Sequence, residues 1–196
     1  MAIKYNTKQT LELELATAKQ LNITVKNIKH FKGHDGMSGI NADIYCNNKK
    51  FATAYDDARG GCMDVRPYSY SDLKVLEIFK DVEDKLKALP EYIHVYDKTY
   101  KGKTIQFTTR VDLAAIVDAF GAKKESDSED KKGIRYSTPD GEYIAHWKMS
   151  IPTLLKKYPD TALARIQKKY DDLSVKHSIL NRDYLASIGI RVNDLV

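Results

Sequence analysis

The chain is poor in cysteine, proline and tryptophan, and it has no long apolar run. Its 196 residues include two Cys, five Pro and one Trp. Two cysteines are too few for the disulfide framework of a small secreted scaffold, so we interpret Cys46 and Cys62 as reduced, buried thiols. No segment approaches the roughly 20 apolar residues that a membrane span needs. The first residues lack the apolar region of a signal peptide, which predicts a cytoplasmic protein without a membrane partner.

The overall composition is that of a globular protein. Hydrophobic residues make up 42% of the chain and charged residues 30%, and the formal net charge is +5. These values exclude global disorder. The net charge is mild for this length, so a nucleic-acid-binding surface would depend on how the charge is distributed.

The order of predicted elements indicates an α+β fold: an antiparallel β meander with packed helices, followed by a smaller hairpin-plus-helices region. Alternating apolar residues predict strands within residues 23–68, with a tight turn at Asn47-Asn48. Residues 7–21 combine a strand-like alternation of leucines with helix-favouring composition, and we interpret them as a helix. A second hairpin is predicted over residues 92–108.

Two further helices are predicted in this first part of the chain. Apolar residues at helical spacing indicate a helix over residues 71–89, with Ser69 or Ser71 capping its N-terminus. A shorter helix is predicted from Arg110 to Phe120, with a capping-box pattern before it and Gly121 just beyond its end.

A charged segment predicts the boundary between two regions. Residues 123–132 hold four basic and four acidic side chains and no apolar one, which indicates a solvated loop over residues 123–133. The α+β meander and its helices then occupy residues 1–122. A hairpin and basic C-terminal helices occupy residues 134–196, and we expect both regions to form one compact domain.

Two loops of the meander are the first candidate site. Residues 32–39 are rich in glycine, and residues 56–61 read Asp-Asp-Ala-Arg-Gly-Gly. Because strands alternate in direction, both connections should emerge at the same end of the sheet, where they would bind a nucleotide, a cation or a partner. Turn chemistry alone is the alternative explanation. The candidate binding residues are His34, Asp35, Asp56, Asp57 and Arg59.

No constellation of catalytic residues is visible in the sequence. There is no serine elbow, no zinc-finger spacing, and no base partnered with Cys62. His94 and His146 lie on separate hairpins, and we interpret them as packed or surface histidines. We therefore expect no catalytic residue, no metal and no cofactor.

The C-terminal part carries a basic face that is the second candidate site. Seven Lys or Arg residues lie between Lys148 and His177, against three Asp. Such a face would bind nucleic acid or an acidic partner, and a solvated amphipathic helix is the alternative. Interleaved Tyr and Lys over residues 96–103 would add stacking. The candidate residues are Lys156, Lys157, Arg165, Lys168, Lys169 and Lys176.

At residues 30–61, from His-Phe-Lys-Gly-His-Asp-Gly to Asp-Asp-Ala-Arg-Gly-Gly, the chain resembles small accessory proteins of bacteriophages and other mobile elements. The resemblance covers about the first third of the chain and implies no catalytic residues. It implies an accessory role in the cytoplasm of an infected bacterium. Such proteins often block host defences, including CRISPR nucleases, by binding. We therefore expect stoichiometric, non-enzymatic binding to a host protein or nucleoprotein complex, with nucleic-acid binding or a small-ligand site as alternatives.

Overall fold

The computed structural model describes residues 3–33 and 36–192 and confirms the α+β class, with antiparallel sheets and packed helices. The chain divides into two compact units, Met1–Lys123 and Lys124–Val196. Within the described ranges, every helix is too short or too polar to cross a membrane.

The first unit contains two sheets. Strands β2 to β5 form an antiparallel sheet in that order, which confirms the predicted meander. Strands β1, β6 and β7 form the other sheet, in which β1 runs parallel to β6 and β7 antiparallel to it. In chain order the elements are β1 (Lys4–Asn6), α1 (Thr7–Gln20), β2 (Ile23–Lys32), β3 (Ser38–Cys46), β4 (Lys49–Tyr55), β5 (Asp64–Pro67), α2 (Leu73–Lys87), β6 (Tyr92–Tyr100), β7 (Lys103–Thr109) and α3 (Leu113–Asp130). The part of α3 after Lys123 belongs to the second unit.

Local chemistry explains the elements that were predicted correctly. Asn47 and Asn48 both adopt positive φ, 49° and 62°, as a two-residue hairpin turn requires. Residues 7–20 are helical rather than extended, because a capping box fixes the start of α1. The Asn6 side chain accepts a hydrogen bond from the Gln9 amide at 2.9 Å, and the Gln9 side chain accepts one from the Asn6 amide at 3.0 Å.

The predicted caps of α2 were wrong. The Asp72 carboxylate caps this helix, accepting hydrogen bonds from the backbone amides of Lys74 at 3.0 Å and Val75 at 3.4 Å. The hydroxyls of Ser69 and Ser71 lie 3.2 Å from each other instead. A carboxylate is the stronger choice here because its charge also interacts favourably with the helix dipole.

Helix α3 differs most from the prediction. It runs from Leu113 to Asp130, so residues 123–130 of the charged segment predicted as a loop are helical. That segment contains no Gly or Pro, and its Lys and Glu residues favour a helix once one has begun. Gly121 lies inside the helix and is buried, and a Cβ there would come within 2.8 Å of Ile40 Cδ1. Close packing explains this glycine better than a C-terminal cap.

The first unit has one core, on the inner face of the four-stranded sheet. Ile44 and Phe51 are fully buried on that face, and Phe51 packs against Phe79 of α2 with ring centroids 6.2 Å apart. Ile116 of α3 belongs to the same core and is also fully buried. The core therefore anchors α2 and α3, and α3 borders the site described below.

The second unit has its own core. Its elements are β8 (Gly133–Thr138), β9 (Gly141–His146), α4 (Ile151–Lys157), α5 (Pro159–Ser174), β10 (Ser178–Ile179) and α6 (Arg182–Ser187), with strand order β10-β8-β9. Asn181 occupies the N-cap position of α6, but its side chain makes no capping bond. It accepts from the Arg135 amide and donates to the carbonyls of Asp130 and Gly133, at 2.9, 3.2 and 2.9 Å.

Candidate functional site

The two loops of the meander lie side by side, as the strand order requires. The Asp56 amide donates to the carbonyl of Ile40 at 2.9 Å. A Cβ on Gly60 would lie 3.4 Å from the side chain of Met37 in the other loop. His34 and Asp35, the two predicted binding residues of the first loop, lie outside the described residues.

Turn chemistry accounts for the aspartates of the second loop. Asp56 Oδ1 accepts the amide of Ala58 at 2.8 Å, and Asp57 Oδ1 accepts the amide of Arg59 at 3.0 Å. Ala58 is buried and has a φ of 58°. The guanidinium of Arg59 is almost wholly exposed and lies 3.9 Å from Asp57 Oδ2. These bonds fold the loop on itself, and ligand binding by these residues stays a prediction.

The interpretation of both cysteines as buried thiols was wrong, since neither is fully buried. Cys62 is exposed, because it lies in the β4–β5 connection and not in a strand. Cys46 is half-buried at the end of β3, where its Sγ lies 3.7 Å from the Leu21 carbonyl oxygen. Burial raises the pKa of the Cys46 thiol, against the opposing effect of the nearby Lys85 charge.

The six basic residues of the second predicted site are all exposed. They lie on α4, on α5 and just after α5, while Ala162, Ile166 and Tyr170 form the buried stripe of α5. Two of the basic side chains flank one aromatic ring: Lys157 Nζ lies 5.4 Å and Arg165 Cζ 5.8 Å from the centroid of Tyr158. The arrangement matches a solvated amphipathic helix. The residues concerned are Lys156, Lys157, Arg165, Lys168, Lys169 and Lys176.

The strongest candidate site is a pocket that the sequence did not predict. It has a volume of about 360 Å³ and lies between helices α1 and α3 and one face of the β6–β7 hairpin. All of its lining residues belong to the first unit. The polar and aromatic residues used below are Thr10, Glu14, Tyr92, His94, Tyr96, Phe107, Arg110, Asp112 and Asp118.

An aromatic wall forms the sheet side of this pocket. The register places His94 opposite Phe107, so both side chains project from the same face. The His94 ring stacks on Phe107 at 5.4 Å and meets Tyr96 edge-on at 4.7 Å, measured between centroids. Tyr96 and Phe107 are each 45% exposed. A bound molecule would therefore find aromatic surface that the fold leaves uncovered.

Three carboxylates face this wall from the helical side. Glu14 lies on α1 and Asp118 on α3, while Asp112 precedes α3 and accepts the Ala115 amide at 2.8 Å. Partial burial raises the pKa of Glu14 to about 7, with the charge of Asp118 acting in the same direction and the hydrogen bond from Tyr92 opposing it. Asp118 is partly open to solvent, and its partial burial, followed by the charges of Asp56 and Asp112, raises its pKa as well.

No described cation neutralises Glu14 or Asp118 by an ion pair. Arg110 lines the same pocket, but its guanidinium is engaged elsewhere. It donates to Glu91 Oε1 at 2.6 Å and to the Lys87 carbonyl at 2.9 Å. The site thus keeps negative charge next to exposed aromatic faces.

Two buried polar groups of the pocket have no partner among the described residues. They are the Oγ1 of Thr10 and the Nε2 of His94, on residues that are 5% and 9% exposed. A buried polar atom without a hydrogen bond costs about 1–3 kcal/mol, so such atoms are rare unless a ligand or water completes them. Both can accept a hydrogen bond from a nitrogen donor.

The donor set is suited to an organic cation. Among the residues that the structure describes, no three His, Cys, Asp or Glu side chains are grouped to hold a metal ion. Carboxylates, aromatic faces and unpartnered acceptors together match a protonated amine or a guanidinium, which offers charge and N–H donors at once.

Most residues of this pocket were missed at the level of sequence. Glu14 is one of several acidic residues on an amphipathic helix, and Asp112 reads as a capping residue. The available signal was the alternation of Tyr92, His94 and Tyr96 along one strand, which puts three polar aromatics on one face.

Comparisons of the chain with protein-family models, with curated proteins and with solved structures gave no match. The resemblance of residues 30–61 to mobile-element proteins therefore stays a prediction.

Proposed function

We propose that this chain is a non-enzymatic binding protein that captures a protonated amine or guanidinium in the pocket between α1, α3 and the β6–β7 hairpin. The observation that carries the proposal is that four groups line one pocket. Glu14 and Asp118 form no ion pair with a described cation, and the buried Thr10 Oγ1 and His94 Nε2 have no hydrogen-bond partner among the described residues. A bound cation would offset the mutual repulsion of the two carboxylates. Its N–H groups would donate hydrogen bonds to the two acceptors, Thr10 Oγ1 and His94 Nε2.

The aromatic wall supplies the second part of the binding energy. A cation over the face of Tyr96 or Phe107 is attracted by the ring quadrupole, with a gain of about 0.5–2 kcal/mol that increases as water is excluded. A pocket of about 360 Å³ accommodates the end of a Lys or Arg side chain or a small organic amine.

The biological partner that we propose is a host protein or nucleoprotein with an exposed Lys or Arg side chain. The resemblance of residues 30–61 to accessory proteins of mobile elements supports this choice, as does the open side of the pocket, where Tyr96, Phe107, Asp112 and Asp118 are exposed. Binding of that Lys or Arg side chain in the pocket would then inhibit a host defence, such as a CRISPR nuclease.

The direct test is an NMR titration with butylammonium, butylguanidinium and uncharged butanol. We expect the two cations, and not butanol, to shift the resonances of His94 and Tyr96. Glu14→Gln and Asp118→Asn should each weaken cation binding roughly tenfold, about 1.4 kcal/mol. Glu12→Gln is the matched control, because Glu12 is exposed on the same helix and does not line the pocket.

Two outcomes would contradict the proposal: butanol binding as tightly as the cations, or Glu14→Gln and Asp118→Asn behaving like the Glu12→Gln control. Short peptides with a central Lys or Arg, compared with free amines, distinguish a protein ligand from a small metabolite. Affinity capture from a bacterial lysate with wild type and Glu14→Gln then tests whether a stoichiometric partner depends on the same carboxylate.

A further inference from the structure

The outward face of the four-stranded sheet carries ordered rows of basic and aromatic side chains. Strand register aligns Lys26, Asp43, Thr53 and Arg66 in one row across β2 to β5. The neighbouring row consists of Lys29, Asn41, Tyr55 and Asp64. Residues paired in this way project from one face of the sheet, and the core lies on the other face.

The two rows border a groove of about 580 Å³, which is distinct from the pocket described above. Its lining includes Lys29, Asn41, Asp43, Tyr55 and Arg66. The β-bulge between Lys26 and Lys29 lies at the same place on β2. A bulge bends the strand locally, which is how a flat sheet face acquires a concave surface.

The negative charge in the middle of this face is already neutralised. Asp43 Oδ1 lies 2.6 Å from the ammonium of Lys50, and its Oδ2 accepts a hydrogen bond from Asn27 Nδ2 at 2.6 Å. Lys29 is exposed and forms no ion pair with any residue that the structure describes. Lys26 is exposed as well, and its Nζ lies 4.6 Å from the centroid of the Tyr45 ring, while Arg66 Nη1 lies 3.7 Å from Asp64 Oδ2. Four cations, Lys26, Lys29, Lys50 and Arg66, therefore stand against two carboxylates, Asp43 and Asp64, and this face keeps a net positive charge toward an anionic partner.

Beside the positive charge lie an aromatic ring and an unsatisfied acceptor. Tyr55 is 46% exposed, and its register partner on β3 is Asn41. The Oδ1 of Asn41 is buried and has no hydrogen-bond partner among the described residues. An amide oxygen needs an N–H or O–H donor, which a fully ionised phosphate or carboxylate cannot supply.

We propose that this face binds single-stranded nucleic acid. Phosphates would lie against Lys26, Lys29 and Arg66, one base would stack on Tyr55, and an N–H on the edge of that base would reach Asn41 Oδ1. A nucleotide combines the three required properties: an anionic backbone, a π face and N–H donors. An acidic peptide would pair with the lysines but would not stack on Tyr55. A duplex keeps its bases stacked inside the helix, so they could reach neither Tyr55 nor Asn41 Oδ1.

The test is fluorescence anisotropy with labelled oligonucleotides of about ten nucleotides, single-stranded and duplex, between about 50 and 200 mM salt. We expect the single strand to bind more tightly than the duplex. Tyr55→Ala should weaken binding roughly tenfold, whereas Tyr55→Phe should preserve it because the ring remains. Lys29→Ala should weaken binding and lower the salt dependence by about 0.7 in log–log slope.

Lys74→Ala is the matched control, since Lys74 is an exposed lysine on α2 and lies outside the groove. Circular dichroism and thermal melting of each variant separate lost binding from lost folding. The proposal is overturned if no oligonucleotide binds at about 50 mM salt. It is equally overturned if Tyr55→Ala and Lys29→Ala bind like Lys74→Ala, which would place any binding on another surface such as the basic face of α5.

Discussion

The hydroxyl of Tyr92 on β6 lies 3.5 Å from Glu14 Oε1 on α1, and it is the donor of that hydrogen bond. Burial, together with the charge of Glu14, raises the pKa of Tyr92 to about 12, so the phenol keeps its proton at neutral pH. The bond joins residues that are 78 positions apart in the chain. It fixes the carboxylate whose pKa, about 7, lies within the physiological range.

This carboxylate should make stability fall as the pH rises. The pKa of Glu14 is raised in the folded state, from 4.5 to about 7, so the folded chain binds more protons than the unfolded chain between these values. The contribution of Glu14 to stability is therefore highest below about pH 4.5 and decreases until about pH 7. Glu14→Gln, which mimics the protonated form, should gain about 1–3 kcal/mol at pH 8 relative to wild type, allowing for solvent in the open pocket.

Urea denaturation of wild type and Glu14→Gln at several pH values checks this. The difference between the two proteins should disappear at low pH, where Glu14 is already protonated. Glu12→Gln should show no comparable pH dependence, because Glu12 is exposed. A difference between wild type and Glu14→Gln that stays constant from low to high pH would contradict the assignment of Glu14 as the titrating group.

Local signals in the sequence predicted much of the fold. The Asn47-Asn48 pair specified a hairpin through positive φ, and apolar residues at helical spacing over residues 71–89 predicted a helix that runs from Leu73 to Lys87. The prediction that Gly121 ends a helix was wrong, because glycine is common both at helix ends and where two elements pack closely. Only the position of Ile40 across the core decides between these two roles. Propensity acts over a few residues, whereas this choice depends on a strand that is distant in sequence.

The pocket could not be predicted for the same reason. Its carboxylates, its aromatic wall and its unpartnered acceptors come from α1, β6, β7 and α3, and none of these segments carries a recognisable motif. The glycine-rich loop near residue 34 suggested a site because its residues are adjacent in sequence. Sites assembled from separate elements become visible only when the topology brings their residues together.

The two cysteines should differ in reactivity. Cys62 is exposed, whereas Cys46 is half-buried and has a raised pKa, so less of it is thiolate at neutral pH. With Ellman's reagent we expect one fast and one slow thiol, with rates at least about tenfold apart. Cys62→Ser should remove the fast phase and leave the slow one, and a fast phase that survives in this variant would show that Cys46 is accessible.

A substitution at Gly39 tests whether this glycine of the first loop is required for close packing between the two loops. It is buried where the two meander loops meet, and a Cβ there would lie 2.7 Å from the carbonyl oxygen of Asp56 and 2.6 Å from Phe31 Cζ. The backbone oxygen cannot move away without disturbing the hydrogen bond from the Asp56 amide to Ile40. We therefore expect Gly39→Ala to destabilise the first unit by about 1–3 kcal/mol, as overpacking typically does.

Gly61 is the matched control for this substitution. It lies in the other loop, a Cβ added to it would meet no atom within 4 Å, and its φ is not left-handed. Gly61→Ala should be neutral or stabilise by up to about 1 kcal/mol, because alanine restricts the unfolded chain. Urea denaturation of both variants gives the comparison. Equal stability of Gly39→Ala and Gly61→Ala would mean that the loops separate easily, and the glycine at position 39 would then be free to serve a ligand instead.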